Sequence, residues 1–319
     1  MASSFEVAVV GAGSSGLSAA LTLGRSLRKT VVLDNGTYNN HAAATSNGFL
    51  TRDNVPPPAL REAGLKDLER YETVEVRKAS LEAVQPKDDD SGFVLQLADG
   101  SSLEAAKIIF ATGARDVLPE IDGLEALWGK RAFHCVYCDG YEVRNEPIGF
   151  VMGKGMPPPV AAMFIAQTAN WSDKLTVFAD GLEVDDGTQA LFKASGYEFY
   201  PSPISSMSED GDGVAVKTET GDEIKLKGVF VASSSEPACK SILEDLGCEV
   251  TADPMSGSFV KVDDQQKTSV PGVFACGDVQ TPFHTVGIAA AAGFKAAAFV
   301  NFELCVGKMF KIKAEAGLA

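Results

Sequence analysis

The sequence predicts an α/β protein with two Rossmann-like, three-layer ββα dinucleotide-binding units. Three observations predict it. Two stretches read as strand, glycine turn and helix: FEVAVVGAGSSGLSAALTLGRSL from Phe5 and EPIGFVMGKGMPPPVAAMFIAQTA from Glu146. Each is followed by a second apolar strand, KTVVLDN closing on Asp34 and KLTVFAD closing on Asp180. The chain, at 319 residues, has room for two domains of ordinary size.

The remaining elements follow in order. From Asn39 to about Leu68 the pattern is looser and VPPP breaks it at 55–58. TVEVRKASLEAV and GFVLQLADGSSLEAAKIIFATGA read as strands, with Asp99–Gly100 as a hairpin turn. Residues 117–132 connect to the second unit. A hairpin-rich stretch covers about 197–232, with EDGDG and TGDE as its turns. GVFACGDV is a buried strand ending in a glycine and an acid, and the alanine-rich segment over about 284–306 is a helix.

Composition narrows the function classes. Apolar residues make up 45% and charged residues 22%, a globular balance, and the formal charge is -15. Such a surface repels phosphate backbones and anionic lipid, so neither nucleic acid nor membrane is an expected partner. The start lacks a basic leader and no apolar stretch reads as long enough to span a bilayer, so a cytoplasmic location is expected. There thiols are kept reduced, and Cys239, Cys248, Cys276 and Cys305, scattered along the chain, read as small buried apolar residues.

The first glycine turn fits G-x-G-x-x-G. Gly11 allows the turn, Gly13 admits a pyrophosphate to the backbone, and Gly16 lets helix and strand pack closely. Ser14 and Ser15 then open a helix whose free N–H groups and partial positive charge suit phosphate. Asp34, with Asn35 beside it, ends the next strand where an acid accepts from ribose hydroxyls.

FHCVYCDGYE, at 133–142, carries the chemistry. Zinc needs four ligands, and of the three histidines (His41, His134 and His284) only His134 is near, so no metal is expected. A C-x-x-C at a helix start is instead a redox pair, because the helix dipole lowers a thiol pKa.

CVYCDGYE, an N-terminal glycine turn, IIFATGA and the late ACGDVQTP together resemble the low-molecular-weight thioredoxin reductase family over nearly the whole chain. The resemblance implies FAD, held by the first turn, by Ala111, Thr112 and Gly113, and by Gly277 and Asp278. It implies that the second unit is inserted in the first: 1–116 and 247–319 bind FAD, and 117–246 form an NAD(P)-like domain carrying the pair. It implies a homodimer. It puts Cys138 against the flavin, Cys135 toward substrate, and Asp139 in proton exchange.

The second glycine turn departs from that family. GKGMPPPVAAM keeps Gly153 and Gly155, but Pro157, Pro158 and Pro159 have no N–H to offer a pyrophosphate. VFADGLEVDDG then supplies Asp180, Glu183, Asp185 and Asp186 in place of the arginines that clamp a 2′-phosphate. Without a nicotinamide donor, electrons enter through the thiols. This pattern, with SNGFLTRDNVPPPAL at 46–60, resembles the gliotoxin-oxidase group of dithiol oxidases in secondary metabolism. The expectation is a small-molecule dithiol oxidised to its disulfide while dioxygen becomes peroxide. His134, His284 and Asp139 are the candidate bases. The alternatives are a disulfide reductase fed by NADPH, NADH or ferredoxin, and a non-catalytic flavin redox sensor.

Overall fold

The computed structural model describes residues 3–89 and 91–318. The chain opens with β1 (Ser3–Val10), α1 (Ser14–Arg25) and β2 (Thr30–Asp34). Val7, Val9, Val31 and Val32 are fully buried, as expected of parallel strands covered on both faces. A 3₁₀ turn at Asn39–Ala42 and α2 (Pro57–Leu68) precede β3 (Val74–Lys78), β4 (Leu81–Pro86), β5 (Phe93–Leu97) and β6 (Ser102–Phe110). These strands form one sheet in the order β3-β2-β1-β6-β5-β4.

β7 (Ala114–Val117) leaves that sheet and leads through α3 (Leu124–Leu127) and β8 (Ala132–Phe133) to α4 (Val136–Asp139), the single turn of the cysteine pair. The second unit continues with β9 (Ile148–Val151), α5 (Pro158–Thr168), β10 (Leu175–Phe178), α6 (Asp186–Ala194) and β11 (Glu198–Tyr200). The hairpin-rich stretch is β12 (Ile204–Asp210), β13 (Gly213–Thr218) and β14 (Glu223–Leu226), a three-stranded sheet, before β15 (Gly228–Val231). The second parallel sheet has the order β11-β10-β9-β15-β8.

β16 (Ser234–Pro237) pairs antiparallel with β7, so the strands leaving and re-entering the first unit run side by side. Then come α7 (Lys240–Asp245), β17 (Val250–Asp253), β18 (Gly257–Val260), β19 (Val273–Ala275) and α8 (Val286–Glu315). β19 joins the first sheet beside β6. Leu243 and Leu246 pack into the core under that sheet. The chain has therefore returned to the first unit by α7, ahead of the 246/247 border expected from sequence.

Three further expectations are corrected. The loose 39–68 stretch contains α2, because Pro57 stands at a first helical position, where its missing N–H is no loss. The alanine-rich helix runs to Glu315, and α8 is long and apolar enough, by length and composition, to cross a bilayer. Its N-terminal half is core: Ala289, Ala292, Ala296, Ala297 and Val300 are buried, and a Cβ on Gly293 would stand 2.0 Å from the Ser15 carbonyl of α1. Small residues are what that close crossing requires. Third, Cys305 is exposed rather than buried, with Arg28 Nη2 2.9 Å from its sulfur.

The entry to α8 is capped by Thr285, whose hydroxyl accepts from Ile288 N–H at 3.3 Å. Thr285→Ala should lower unfolding free energy by about 1 kcal/mol. Urea denaturation monitored by circular dichroism checks this, and an unchanged midpoint would show the cap to be idle.

Candidate flavin and dithiol site

The first glycine turn divides its labour among its glycines. Gly11 has φ +106°, and a Cβ there would stand 2.3 Å from the Ala111 carbonyl. On Gly16 it would stand 1.9 Å from the Gly11 carbonyl. These two positions permit backbone to meet backbone. A Cβ on Gly13 would meet nothing within 4 Å, so this glycine faces open space. Gly13 is also the N-cap of α1, with no side chain capping the turn and no acid in it. An uncapped helix start with an open approach suits a pyrophosphate.

Ser14 and Ser15 begin α1, and Ser15 also meets Gly277 (φ +82°), where a Cβ would lie 2.5 Å from its hydroxyl. Ala111, Thr112 and Gly113 follow β6 beside the turn. The Thr112 hydroxyl lies 3.1 Å from Cys239 Sγ. Asp34 is already engaged at both oxygens: Gly36 N–H donates at 2.9 Å and the Tyr38 hydroxyl at 2.6 Å. That leaves one lone pair per oxygen for a ribose. Burial first, then Asp34, push the Tyr38 hydroxyl up to about 12, so it stays a donor. Asn35 holds its own turn, accepting from Thr37 N–H at 2.9 Å. Asp278 Oδ1 is buried with no hydrogen-bond partner, an acceptor left for a ligand hydroxyl.

Cys135 and Cys138 are joined as a disulfide across α4, with Cα atoms 5.3 Å apart. Cys135 caps the turn, its sulfur accepting from Cys138 N–H at 3.1 Å. Asp139 follows in the same turn. Burial, then the charge of Glu142, raise its carboxyl from 3.8 to about 7. Asn47 reaches across from the first unit and donates to the Cys138 carbonyl at 2.8 Å, while its own side-chain oxygen is buried and unpartnered. Two of the scattered thiols are held protonated: burial pushes Cys239 up to about 11 and Cys276 to about 12.

His134 and His284, 150 residues apart, come together with ring centroids 6.2 Å apart, edge to face. Both line a cleft of about 180 Å³, together with Asp116, Phe150, Phe164 and Ser233. His134 is surrounded by protein yet reached by solvent through the cleft mouth. Burial lowers its pKa, Asp116 opposes that, and His284 adds to it. His284 Nε2 is buried and unpartnered. Sequence reasoning missed Asn47, Asp116 and Trp128 as members of this site.

The second glycine turn is built differently from the first. Gly153 abuts β15's exit, where a Cβ would stand 2.6 Å from the Ala232 carbonyl. Gly155 lies against the β17–β18 turn, where a Cβ would stand 2.9 Å from the Pro254 carbonyl. Pro157 caps α5 and Pro158 begins it. Two of the acids beyond β10 serve the backbone: Asp180 accepts from Ile204 N–H at 2.8 Å, and Asp185 caps α6 through Thr188 N–H at 2.9 Å.

A family model described as pyridine nucleotide-disulphide oxidoreductase matches residues 5–293. The chain belongs to the pyridine nucleotide-disulphide oxidoreductase family. Members of this family bind FAD, and the open first turn, the uncapped α1 and the unpartnered Asp278 fit that cofactor. The chain is 33% identical over 316 residues to thioredoxin reductase sirT of Leptosphaeria maculans, covering 95% of each. An oxidoreductase from Agrobacterium tumefaciens superposes with TM-score 0.88 at 30% identity, over 95% of this chain and 99% of that one. HlmI superposes with TM-score 0.87 at 32% identity, over 98% and 97%. The resemblance read from the glycine turn and the cysteine pair, and the α/β fold it implies, both hold.

Proposed function

We propose that this flavoprotein is a dithiol oxidase that closes a disulfide in a small molecule and passes the electrons to dioxygen. One observation carries the reading. The second glycine turn, where a family member would receive a nicotinamide dinucleotide, offers prolines at 157–159 in place of N–H donors and has the Pro254 carbonyl packed on Gly155. An anionic pyrophosphate gains nothing there, and the acids beyond β10 repel it.

The electrons then enter at sulfur. A substrate thiolate attacks Cys135, the disulfide to Cys138 opens, and a mixed disulfide forms. The second substrate thiol displaces Cys135 and leaves as oxidised product. The enzyme now holds two thiols and has gained two electrons and two protons. FAD, which the first glycine turn and Asp278 would hold, would supply the two-electron acceptor between this thiol pair and dioxygen; with the pair's two electrons and two protons, dioxygen balances to hydrogen peroxide as the Cys135–Cys138 disulfide is restored. Asp139, titrating near 7, can take and return a proton at this pair. His134 and His284 face the same cleft and can take the substrate's protons. The likeness to thioredoxin reductase sirT favours a second reading, in which a nucleotide feeds the flavin and the pair reduces a protein disulfide.

One experiment separates the two. Under argon, dithiothreitol should bleach the flavin band while NADPH at equal concentration leaves it unchanged. In air, dithiothreitol should consume oxygen and release peroxide. Rapid bleaching by one equivalent of NADPH overturns the oxidase reading. The homodimer expected from the resemblance is read by sedimentation equilibrium on the same sample.

A further inference from the structure

We propose that Asp116 is a positioning residue for the dithiol reaction, holding His134 ready to take the substrate thiol proton through a brace built on Trp128. The proposal rests on the oxidase reading above and extends it to a residue on the strand that links the two units.

The brace is defined by its contacts. Asp116 lies on β7, between the flavin-side segment Ala111–Gly113 and the second unit, and lines the cleft that His134 and His284 share. Its Oδ2 accepts from the Trp128 indole N–H at 2.9 Å and from Asn39 Nδ2 at 3.1 Å. Trp128 in turn stacks on the His134 ring, centroids 5.9 Å apart and planes 25° apart. The hydrogen bond at its N–H restrains the indole, whose face then borders one side of the His134 ring. The three contacts join residues 39, 116, 128 and 134, drawn from the loop after β2, the crossing strand, the end of α3 and the residue before Cys135.

The same carboxylate sets the charge seen by the histidine. The titratable groups facing His134 are Asp116, which favours its protonated form, and His284, which disfavours it. Asp278 belongs to the same group, raised mainly by burial and further by Asp116, with His284 opposing. A base that must accept a proton inside a crowded cleft gains from an anion that stabilises the imidazolium formed. Geometry and charge therefore act through one side chain. No proton passes to Asp116 itself: the substrate S–H bond breaks, the proton goes to the imidazole, and the electron pair stays on sulfur to attack Cys135.

The test is the anaerobic rate of flavin bleaching by dithiothreitol against pH, in wild type and in Asp116→Asn, Asp116→Glu and Trp128→Phe. Asp116→Asn keeps an acceptor oxygen but loses the charge. It should slow bleaching by about 10- to 100-fold at neutral pH and move the rising limb of the profile to lower pH, because the imidazolium loses its anion. Asp116→Glu should restore the limb to its wild-type position. Trp128→Phe should slow bleaching, and Asp116→Asn added to it should cost less than the product of the two single effects, since both act on one ring. Flavin content and the thermal midpoint read folding separately. A folded, flavin-loaded Asp116→Asn protein with wild-type rate and limb overturns this proposal alone. A wild-type flavin that dithiothreitol never bleaches overturns the oxidase reading, and this proposal with it.

Discussion

Cys138→Ser should leave a yellow, fully loaded flavoprotein that dithiothreitol no longer bleaches, with oxygen consumption falling by about 10⁴-fold or more, since removing one of two covalently acting groups removes the whole route. The prediction follows from the separation of the two sites in the chain. The residues that fit FAD, Gly13, the start of α1 and Asp278, belong to the first unit, whereas the disulfide belongs to α4 of the second. Serine is close to isosteric with the reduced residue, and Asn47 bonds the Cys138 backbone carbonyl, not its sulfur. Binding of the cofactor should therefore survive. Cys135→Ser should block turnover equally, but with Cys138 as the flavin-side sulfur that the resemblance implies, its remaining thiolate should give a long-wavelength charge-transfer band on titration with base. Absorbance spectra of the two variants distinguish the sulfurs. A Cys138→Ser protein that still turns over would remove the pair from the reaction.

The parts of this site that were legible in the sequence are those whose demands are local. Gly16 is required by a contact with Gly11 inside the same strand–turn–helix unit, Gly11 by the positive φ of that turn, and a C-x-x-C fits one helical turn whatever surrounds it. The residues that escaped act over distance. Asn47 meets Cys138 across 91 positions, and Asp116 meets Asn39 across 77. Neither has a spacing that advertises it. His134 and His284 could be singled out one by one, but their pairing exists only once the crossing strands are formed. The acidic run after β10 shows the opposite case. It reads as simple repulsion, yet Asp180 and Asp185 also hold a turn and a helix cap. Among elements, α2 was hidden because VPPP reads as a break, although a proline at the first helical turn is well placed. The far half of α8 does keep helical apolar spacing, at Phe302, Cys305, Val306, Met309 and Phe310, so its continuation to Glu315 was legible there and the expected end near 306 fell short.

Asp139→Asn should cost about 100-fold in dithiol-driven bleaching at neutral pH while making the oxidised protein more stable in mild alkali. Both follow from one displaced equilibrium. Burial and Glu142 raise the Asp139 carboxyl from 3.8 to about 7. At neutral pH it is close to half ionised, so it can either give a proton to a departing thiolate or take one from an attacking thiol. An amide can do neither. For stability the sign runs as follows. The folded-state value lies above the unfolded one, so the folded protein keeps this proton after the unfolded chain has released it. Below 3.8 both states are protonated and the group is neutral in its effect. Between 3.8 and about 7 the unfolded chain ionises first, and stability falls as pH rises. Above 7 the loss is complete, at most about 4 kcal/mol from a shift of this size. Asparagine has no proton to lose, so the variant should show a flatter decline in urea midpoint over that window and exceed wild type at its alkaline end. Parallel wild-type and variant curves with equal turnover would show that Asp139 neither titrates in this range nor serves the pair. A stabilised variant with full turnover would keep the buried carboxyl and assign its proton work to the histidines across the cleft.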